Sequence, residues 1–195
     1  MPKIKWCGNR PWDTEFPESP LPDTAKQIER PQNIFIACLP YGIIPLLFCF
    51  ALLFLKWFVF SERAVNILYL PIGIILGLLL MPAHEILHAI CYKKGQVVYI
   101  GICLKKFAAF AVCHEPISRR RFVVMSLMPT LAGIIPLMIF LICPANEIIS
   151  GICIPVGIMG MISPMPDYMD IHIICKQTPR GAFIQTQNDG YYWYL

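Results

Sequence analysis

Four long apolar runs constrain this chain more than any other feature of its sequence. They cover residues 34–60, 64–92, 122–143 and 148–175, and each exceeds the roughly 20 residues that a helix needs to cross about 30 Å of hydrocarbon. Only 14% of the residues are charged, whereas a soluble domain typically has about 25%. The sequence therefore predicts a mainly α, polytopic membrane protein with four transmembrane helices embedded in a lipid bilayer.

The basic residues fall on alternate sides of these four predicted helices. Of the 16 Lys and Arg residues, 14 lie before the first helix, between the second and third, or after the fourth, and the other two are Lys56 and Arg63. The positive-inside rule then predicts a multi-pass protein of the cell membrane with both termini and the 93–121 loop in the cytoplasm. Because topology accounts for the basic residues, no nucleic-acid partner is predicted.

The predicted helices divide the chain into three parts. Residues 1–33, with six prolines, form a Pro-rich cytoplasmic tail that we expect to be mostly irregular, with one short helix around Asp23–Arg30. Residues 34–175 form the membrane domain, and residues 176–195 a second cytoplasmic tail.

The loop between the second and third helices contains two β-rich segments. Val97–Leu104 and Phe107–His114 have eight residues each, too few to span a membrane as helices, and Lys105-Lys106 joins them. This pattern predicts a cytoplasmic-side β-hairpin over 97–114. The alternative is a re-entrant or interfacial segment.

The second helix contains the one motif with a defined chemistry. His84 and His88 are four residues apart, so a helix places both imidazoles on one face, where they can bind the same metal ion. Glu85 lies about 100° round the helix. This is the His-Glu-x-x-His arrangement in which zinc is the Lewis acid and the glutamate is the general base. Ionisable residues are costly inside an apolar helix, which favours a metal site over a chance match.

A third zinc ligand must come from elsewhere in the chain. Catalytic zinc usually has three protein ligands, and Lys94 stands where the extended form of the motif has its third histidine. The fourth helix offers Asp167 and Asp170, which share a face at i and i+3. Either carboxylate can instead be a water-exposed group at the membrane interface. Asp167 and His114 are the auxiliary candidates, and His114 would act as an electrophile or a fourth ligand, or else it is a surface histidine.

The sequence resembles a membrane family of zincin peptidases known as a domain of unknown function, and more distantly the site-2 proteases. The resemblance runs from about Leu80 to Ile174 and rests on four parts of the chain: Pro82–His88, Val97–His114 with Cys113-His114-Glu115-Pro116, Met128-Pro129 with Gly133-Ile134-Ile135-Pro136, and Asp170-Ile171. It implies zinc ligands at His84 and His88, a base at Glu85 and a third ligand at Asp170. Where the family commonly has Gly-Asp, this chain has Met169-Asp170.

The leading hypothesis is an integral membrane zinc-dependent peptidase that cleaves a peptide or membrane-protein substrate near the cytoplasmic face. The hairpin would present an edge to which an extended substrate adds as a strand, a role we expect of Val97–Leu104. Two alternatives remain open, a catalytically inactive metal-binding scaffold and a small transporter subunit. A transporter would be expected to show inverted repeats or paired broken helices, and only the fourth helix looks broken.

Overall fold

The computed structural model describes residues 1–61, 64–106 and 108–195. Its α-helices are α1 (Ile34–Cys38), α2 (Ile43–Phe54), α3 (Leu70–Leu79), α4 (Met81–Ala89), α5 (Arg119–Leu127), α6 (Leu131–Ile142), α7 (Glu147–Ile162) and α8 (Met165–Gln177). Its strands are β1 (Lys3–Asn9), β2 (Lys26–Gln27), β3 (Val97–Cys103), β4 (Ala108–Val112), β5 (Ile117–Ser118), β6 (Phe183–Gln187) and β7 (Gly190–Tyr194).

Four helical segments of the described residues are long and apolar enough to cross a membrane. They are Ile34–Val59, Ile67–Ala89, Arg119–Ile142 and Glu147–Gln177. These bounds lie within a few residues of the four predicted runs, so the prediction of four membrane-spanning helices is confirmed in length and composition. The second segment changes from α3 to α4 at Leu80, near Pro82, whose nitrogen has no hydrogen to donate to a preceding carbonyl. Arg63, the basic residue between the first and second predicted helices, lies outside the described residues.

The chain divides into two compact units, and the first contains most of the apolar helices. It comprises Phe35–Leu80 and Pro129–Pro166, and in it α7 packs against both α3 and α6. A Cβ added to Gly160 of α7 would lie only 2.5 Å from the backbone nitrogen of Gly133 in α6. These two helices therefore approach through small residues, as helices in membranes commonly do.

Lys56 interrupts the first apolar run, and backbone carbonyl oxygens bind its ammonium group. The side chain is buried, and its Nζ donates to the carbonyl oxygens of Cys143 at 2.5 Å and Leu141 at 3.3 Å. Carbonyls at a helix end lack partners within the helix, and a cation there is favourable. Lys56 thus caps the end of α6.

The second unit comprises Met1–Ile34, Met81–Met128 and Asp167–Leu195, and it contains both β-sheets. One sheet has the strand order β1-β3-β4, and the other has the order β2-β7-β6-β5. Helix α4 packs against β3 and β4. Ala89 of α4 and Tyr92 share a buried core with Val98 and Ile100 of β3. This packing holds the His-Glu-x-x-His helix against the sheet.

Residues 1–33 are more ordered than the sequence suggested. β1 pairs in parallel with β3, and β2 pairs antiparallel with β7. The predicted short helix around Asp23–Arg30 is wrong, because Lys26–Gln27 is a strand. The last residues of the chain also form strands, β6 and β7, which pair antiparallel. Both predicted tails therefore contribute strands to the sheets of this unit.

The two segments of the predicted hairpin do pair. β3 and β4 are antiparallel, with Tyr99 opposite Val112 and Cys103 opposite Ala108, and Phe107 lies outside the described residues. Which side of a membrane they occupy stays a prediction. The expectation that Val97–Leu104 presents the edge is wrong, because β1 pairs with the other side of β3. Among the described strands, β4 is the edge of this sheet next to α4.

Candidate metal centre

Helix α4 brings His84 and His88 together on one face, as the four-residue spacing predicted. Both side chains are buried, and their Nε2 atoms are 3.1 Å apart. The ring centroids are separated by 4.9 Å, with the ring planes at 73°. The two imidazoles therefore direct nitrogen atoms at one point.

Asp167, in the first turn of α8, completes the group. Its Oδ2 lies 3.3 Å from His84 Nε2, and its Oδ1 lies 3.3 Å from His88 Nε2. The three side chains each offer one ligand atom, and these atoms all lie within 4.8 Å of one another. The sequence analysis treated Asp167 as an auxiliary residue, whereas here it is the carboxylate that meets both histidines.

The chemistry of this donor set fits a metal ion. His88 Nδ1 lies 3.0 Å from the carbonyl oxygen of Met125, which can only accept, so Nδ1 carries the hydrogen. The lone pair of Nε2 then faces His84 and Asp167. A second partner that fixes the tautomer of a histidine in this way is typical of metal ligands. Two imidazoles and a carboxylate also match the three protein ligands of a catalytic zinc site.

Glu85 lies beside this group without belonging to it. Its carboxylate is close enough to the backbone N–H of Ala111 in β4, and to His84, His88 and Asp167, to interact with them electrostatically. The edge strand of the sheet therefore lies next to the carboxylate and the three converging donors. That is the placement expected of a proton acceptor that is not a metal ligand.

Asp170, the ligand implied by the family resemblance, has other partners. The Arg30 guanidinium binds its carboxylate in bidentate fashion, with Nη2 at 2.9 Å from both oxygens and Nε at 3.2 Å from Oδ1. Tyr191 donates its hydroxyl to Oδ2 at 3.1 Å. Within the described part of the chain, the group that can hold a metal does not include Asp170. The structure thus favours Asp167 over Asp170 as the third donor.

Arg30 and Tyr191 also contact each other. The guanidinium carbon lies 4.5 Å from the centroid of the Tyr191 ring. Burial and the Asp170 carboxylate raise the pKa of Tyr191 well above its ordinary value, so the phenol keeps its proton and remains a donor. The sequence analysis missed both residues, although a buried aspartate in an apolar helix does call for a cationic partner.

His114 is not brought into the metal-binding group. Its Nδ1 donates to the carbonyl oxygen of Thr186 at 2.8 Å. The residue follows β4 directly and lines a cavity with Phe110 and Val112. Neither of the catalytic roles considered for it, electrophile or fourth ligand, gains support from this placement.

The part of the chain that contains the candidate metal centre matches a protein-family model. A family model described as "Putative zincin peptidase" matches residues 77–183, more than half of the chain. The match includes His84, Glu85, His88 and Asp167 and ends before Tyr191. No curated protein and no solved structure matches the chain.

The two aspartates are expected to differ in their effect on metal content. Asp167→Asn removes one of the three converging donors, so the detergent-purified full chain should lose most of its zinc. Asp170→Asn keeps an oxygen for Arg30 and leaves those donors in place, so it should retain near-stoichiometric zinc. Elemental analysis of both variants and the wild type measures this. Folded variants with the opposite pattern, zinc kept by Asp167→Asn and lost by Asp170→Asn, would make Asp170 the ligand.

Proposed function

Because the chain belongs to the zincin peptidase family, we propose that it is an integral membrane zinc-dependent peptidase that hydrolyses peptide bonds near the cytoplasmic membrane face. The observation that carries the proposal is the convergence of His84, His88 and Asp167 beside the carboxylate of Glu85. The four membrane-spanning segments support a substrate that is itself a membrane protein or a peptide released near the bilayer.

The residues that would hold zinc are His84 and His88 through Nε2 and Asp167 through its carboxylate. Zinc bound there supplies a Lewis acid and makes water a nucleophile near neutral pH. The Met125 carbonyl keeps the His88 ring oriented toward the site through Nδ1. The Arg30–Asp170 ion pair holds α8 one turn beyond Asp167, which positions that carboxylate.

Glu85 acts as the general base in this proposal. Its carboxylate accepts a proton from the attacking water and returns it to the nitrogen of the leaving amine as the peptide bond breaks. The Ala111 N–H lies near this carboxylate at the edge of the sheet. Because Glu85 does not bind the metal, its basicity is available for proton transfer.

Replacing this base should separate hydrolysis from metal binding. Glu85→Gln keeps the size and one oxygen but cannot accept the proton, so hydrolysis should fall about 10²–10⁴-fold. Zinc content should stay at the wild-type value. The assay is cleavage of a quenched-fluorescent decapeptide library by detergent-purified full chain, with elemental analysis in parallel.

The chain provides a matched control in its second His-Glu pair. Glu115 accepts from the backbone N–H of Val97 at 3.1 Å, and Glu115→Gln keeps that acceptor. This variant should cleave at the wild-type rate. If Glu85→Gln also cleaves at the wild-type rate, the cleavage does not come from this site. If Glu85→Gln keeps the wild-type phenotype in cells, the protein is a metal-binding scaffold and not a peptidase.

The free edge of β4 is the proposed docking site for an extended substrate. Lys3 donates its N–H to the Gln96 carbonyl, so the even-numbered residues of β3 bond to β1 and the odd-numbered ones bond to β4. The N–H groups of Ala109 and Ala111, which lie opposite even-numbered residues, therefore point away from β3. A peptide that adds to this edge as a strand would run past the Glu85 carboxylate. Strand addition also explains how a helical substrate becomes cleavable, because it must unwind in order to pair.

A proline on this edge should block the docking. Ala109→Pro removes one outward N–H without removing a bond to β3, so cleavage should fall at least about tenfold while the chain stays folded. The control is Ile4→Pro on β1, the opposite edge, where the N–H of Lys3 bonds Gln96 and the N–H of Ile4 therefore points outward. Wild-type cleavage by a folded Ala109→Pro would show that β4 does not receive the substrate.

The proposed orientation places both termini and the 93–121 loop in the cytoplasm, as the distribution of Lys and Arg favours. A fluorescent protein fused after Leu195 should fold and fluoresce, and alkaline phosphatase fused there should be inactive. The same pair of reporters inserted between Pro144 and Asn146 should give the opposite result. Active phosphatase at the C-terminal fusion would invert the topology.

A further inference from the structure

A cavity of about 190 Å³ lies on the face of β4 that points away from the core it shares with α4. Its walls include three aromatic rings, those of Trp12, Phe16 and Phe110. The Trp12 ring already has a cation contact within the chain, with the Lys106 ammonium 5.2 Å from its centroid. Phe16 and Phe110 are therefore the rings left to contact a ligand cation. An engineered cavity of about 150 Å³ takes up benzene, so the space suits one planar head group of a side chain.

Two buried polar atoms at this cavity lack hydrogen-bond partners within the described residues. They are Nε2 of His114, whose side chain lines the cavity at 4% residue exposure, and Oε1 of Gln187, at 7%. His114 Nδ1 donates to the Thr186 carbonyl, so in the neutral ring Nε2 offers a lone pair. Gln187 Nε2 donates to the Ser19 carbonyl at 2.7 Å, which leaves its oxygen as an acceptor. A ligand that fits this cavity should therefore donate hydrogen bonds to both atoms.

Negative charge adjoins the same cavity. A neighbouring cleft is lined by the carboxylates of Glu15, Glu18 and Asp189, and it shares Gln187 and Asn188 with the cavity. A donor that enters here therefore gains from being a cation. Guanidinium meets every requirement, because it is planar, permanently charged, rich in N–H donors and able to stack on aromatic faces.

The position of the cavity relates it to the proposed substrate edge. Side chains of a strand alternate between faces, and Phe110, Val112 and His114 line the cavity while Ala111 and Cys113 face the core. A peptide added to β4 would alternate in the same way. One of its side chains would then point toward the cavity while its backbone runs past Glu85.

We propose that this cavity is a specificity subsite that binds an arginine side chain of the peptide substrate. The assignment rests on the proposed peptidase function for the source of the ligand, and on the aromatic walls, the two unpartnered acceptors and the adjoining carboxylates for its chemistry. Gln187 and His114 are specificity residues here, and they take no part in proton transfer.

Peptide binding to the full chain tests the proposal without turnover. The protein is the Glu85→Gln variant in detergent, and the probe is a fluorescent alanine peptide with one central arginine, followed by anisotropy. Replacing the arginine with citrulline keeps a planar head group with about three of the five N–H donors and removes the charge, and norleucine removes both the donors and the charge. Each replacement should weaken binding at least about tenfold. Free agmatine should compete only weakly, since it lacks a backbone to add to β4.

Gln187→Leu removes the unpartnered acceptor and should weaken binding of the arginine peptide at least about tenfold. The matched control is Gln185→Leu. Gln185 also donates to the Ser19 carbonyl, at 2.9 Å, but its oxygen accepts from Tyr194 and it does not line the cavity. This control should bind as the parent does, and equal thermal unfolding of the two variants establishes that both are folded.

Three results would overturn the subsite: equal binding of the arginine and norleucine peptides, unchanged binding by Gln187→Leu, or agmatine binding as tightly as the arginine peptide. Wild-type hydrolysis of the decapeptide library is scored separately. Hydrolysis without arginine-dependent binding refutes the subsite alone. Arginine-dependent binding without any hydrolysis refutes the peptidase alone.

Discussion

The pairing of buried charges in apolar helices is the constraint on which the rest of this structure depends. Asp167 and Asp170 lie nearly one turn apart on α8, and an unpaired carboxylate there would carry a large desolvation cost. Asp167 meets the two histidines of α4, and Asp170 meets Arg30 and Tyr191. Two independent sets of partners thereby fix the rotation of α8 about its axis. The donor geometry of the candidate metal centre follows from that rotation.

The sequence is a good guide to the elements in which local pattern decides the structure. The four apolar runs can be recognised in the sequence because a membrane span needs only length and hydropathy. The convergence of His84 and His88 can also be predicted, because both lie on one helix. The choice between Asp167 and Asp170 is different. Both lie on one helix face, and Arg30, which binds Asp170, is 140 positions away in the chain. Periodicity holds no information about such a partner.

The strands before the first apolar run could be predicted only in part from the local sequence pattern. Lys3 to Trp6 alternate polar and apolar residues, which is a strand pattern that was available in the sequence. Its partner, β3, lies far along the chain, and β2 is too short to have a period at all. Arg30 and Tyr191 also lie outside the stretch that the family model matches. The two residues that bind the Asp170 carboxylate therefore belong to segments that the family model does not cover.

The meeting of Arg30, Asp170 and Tyr191 has a consequence for biosynthesis. The first strands are made early, yet β1 has no partner until β3 is translated, and β2 waits for β7 near the end of the chain. Contacts of such long sequence separation form late in folding. A nascent chain therefore carries the two histidines long before α8 is held in place. The donor set of the candidate metal centre therefore stays incomplete until α8 and the strand that carries Tyr191 have been translated.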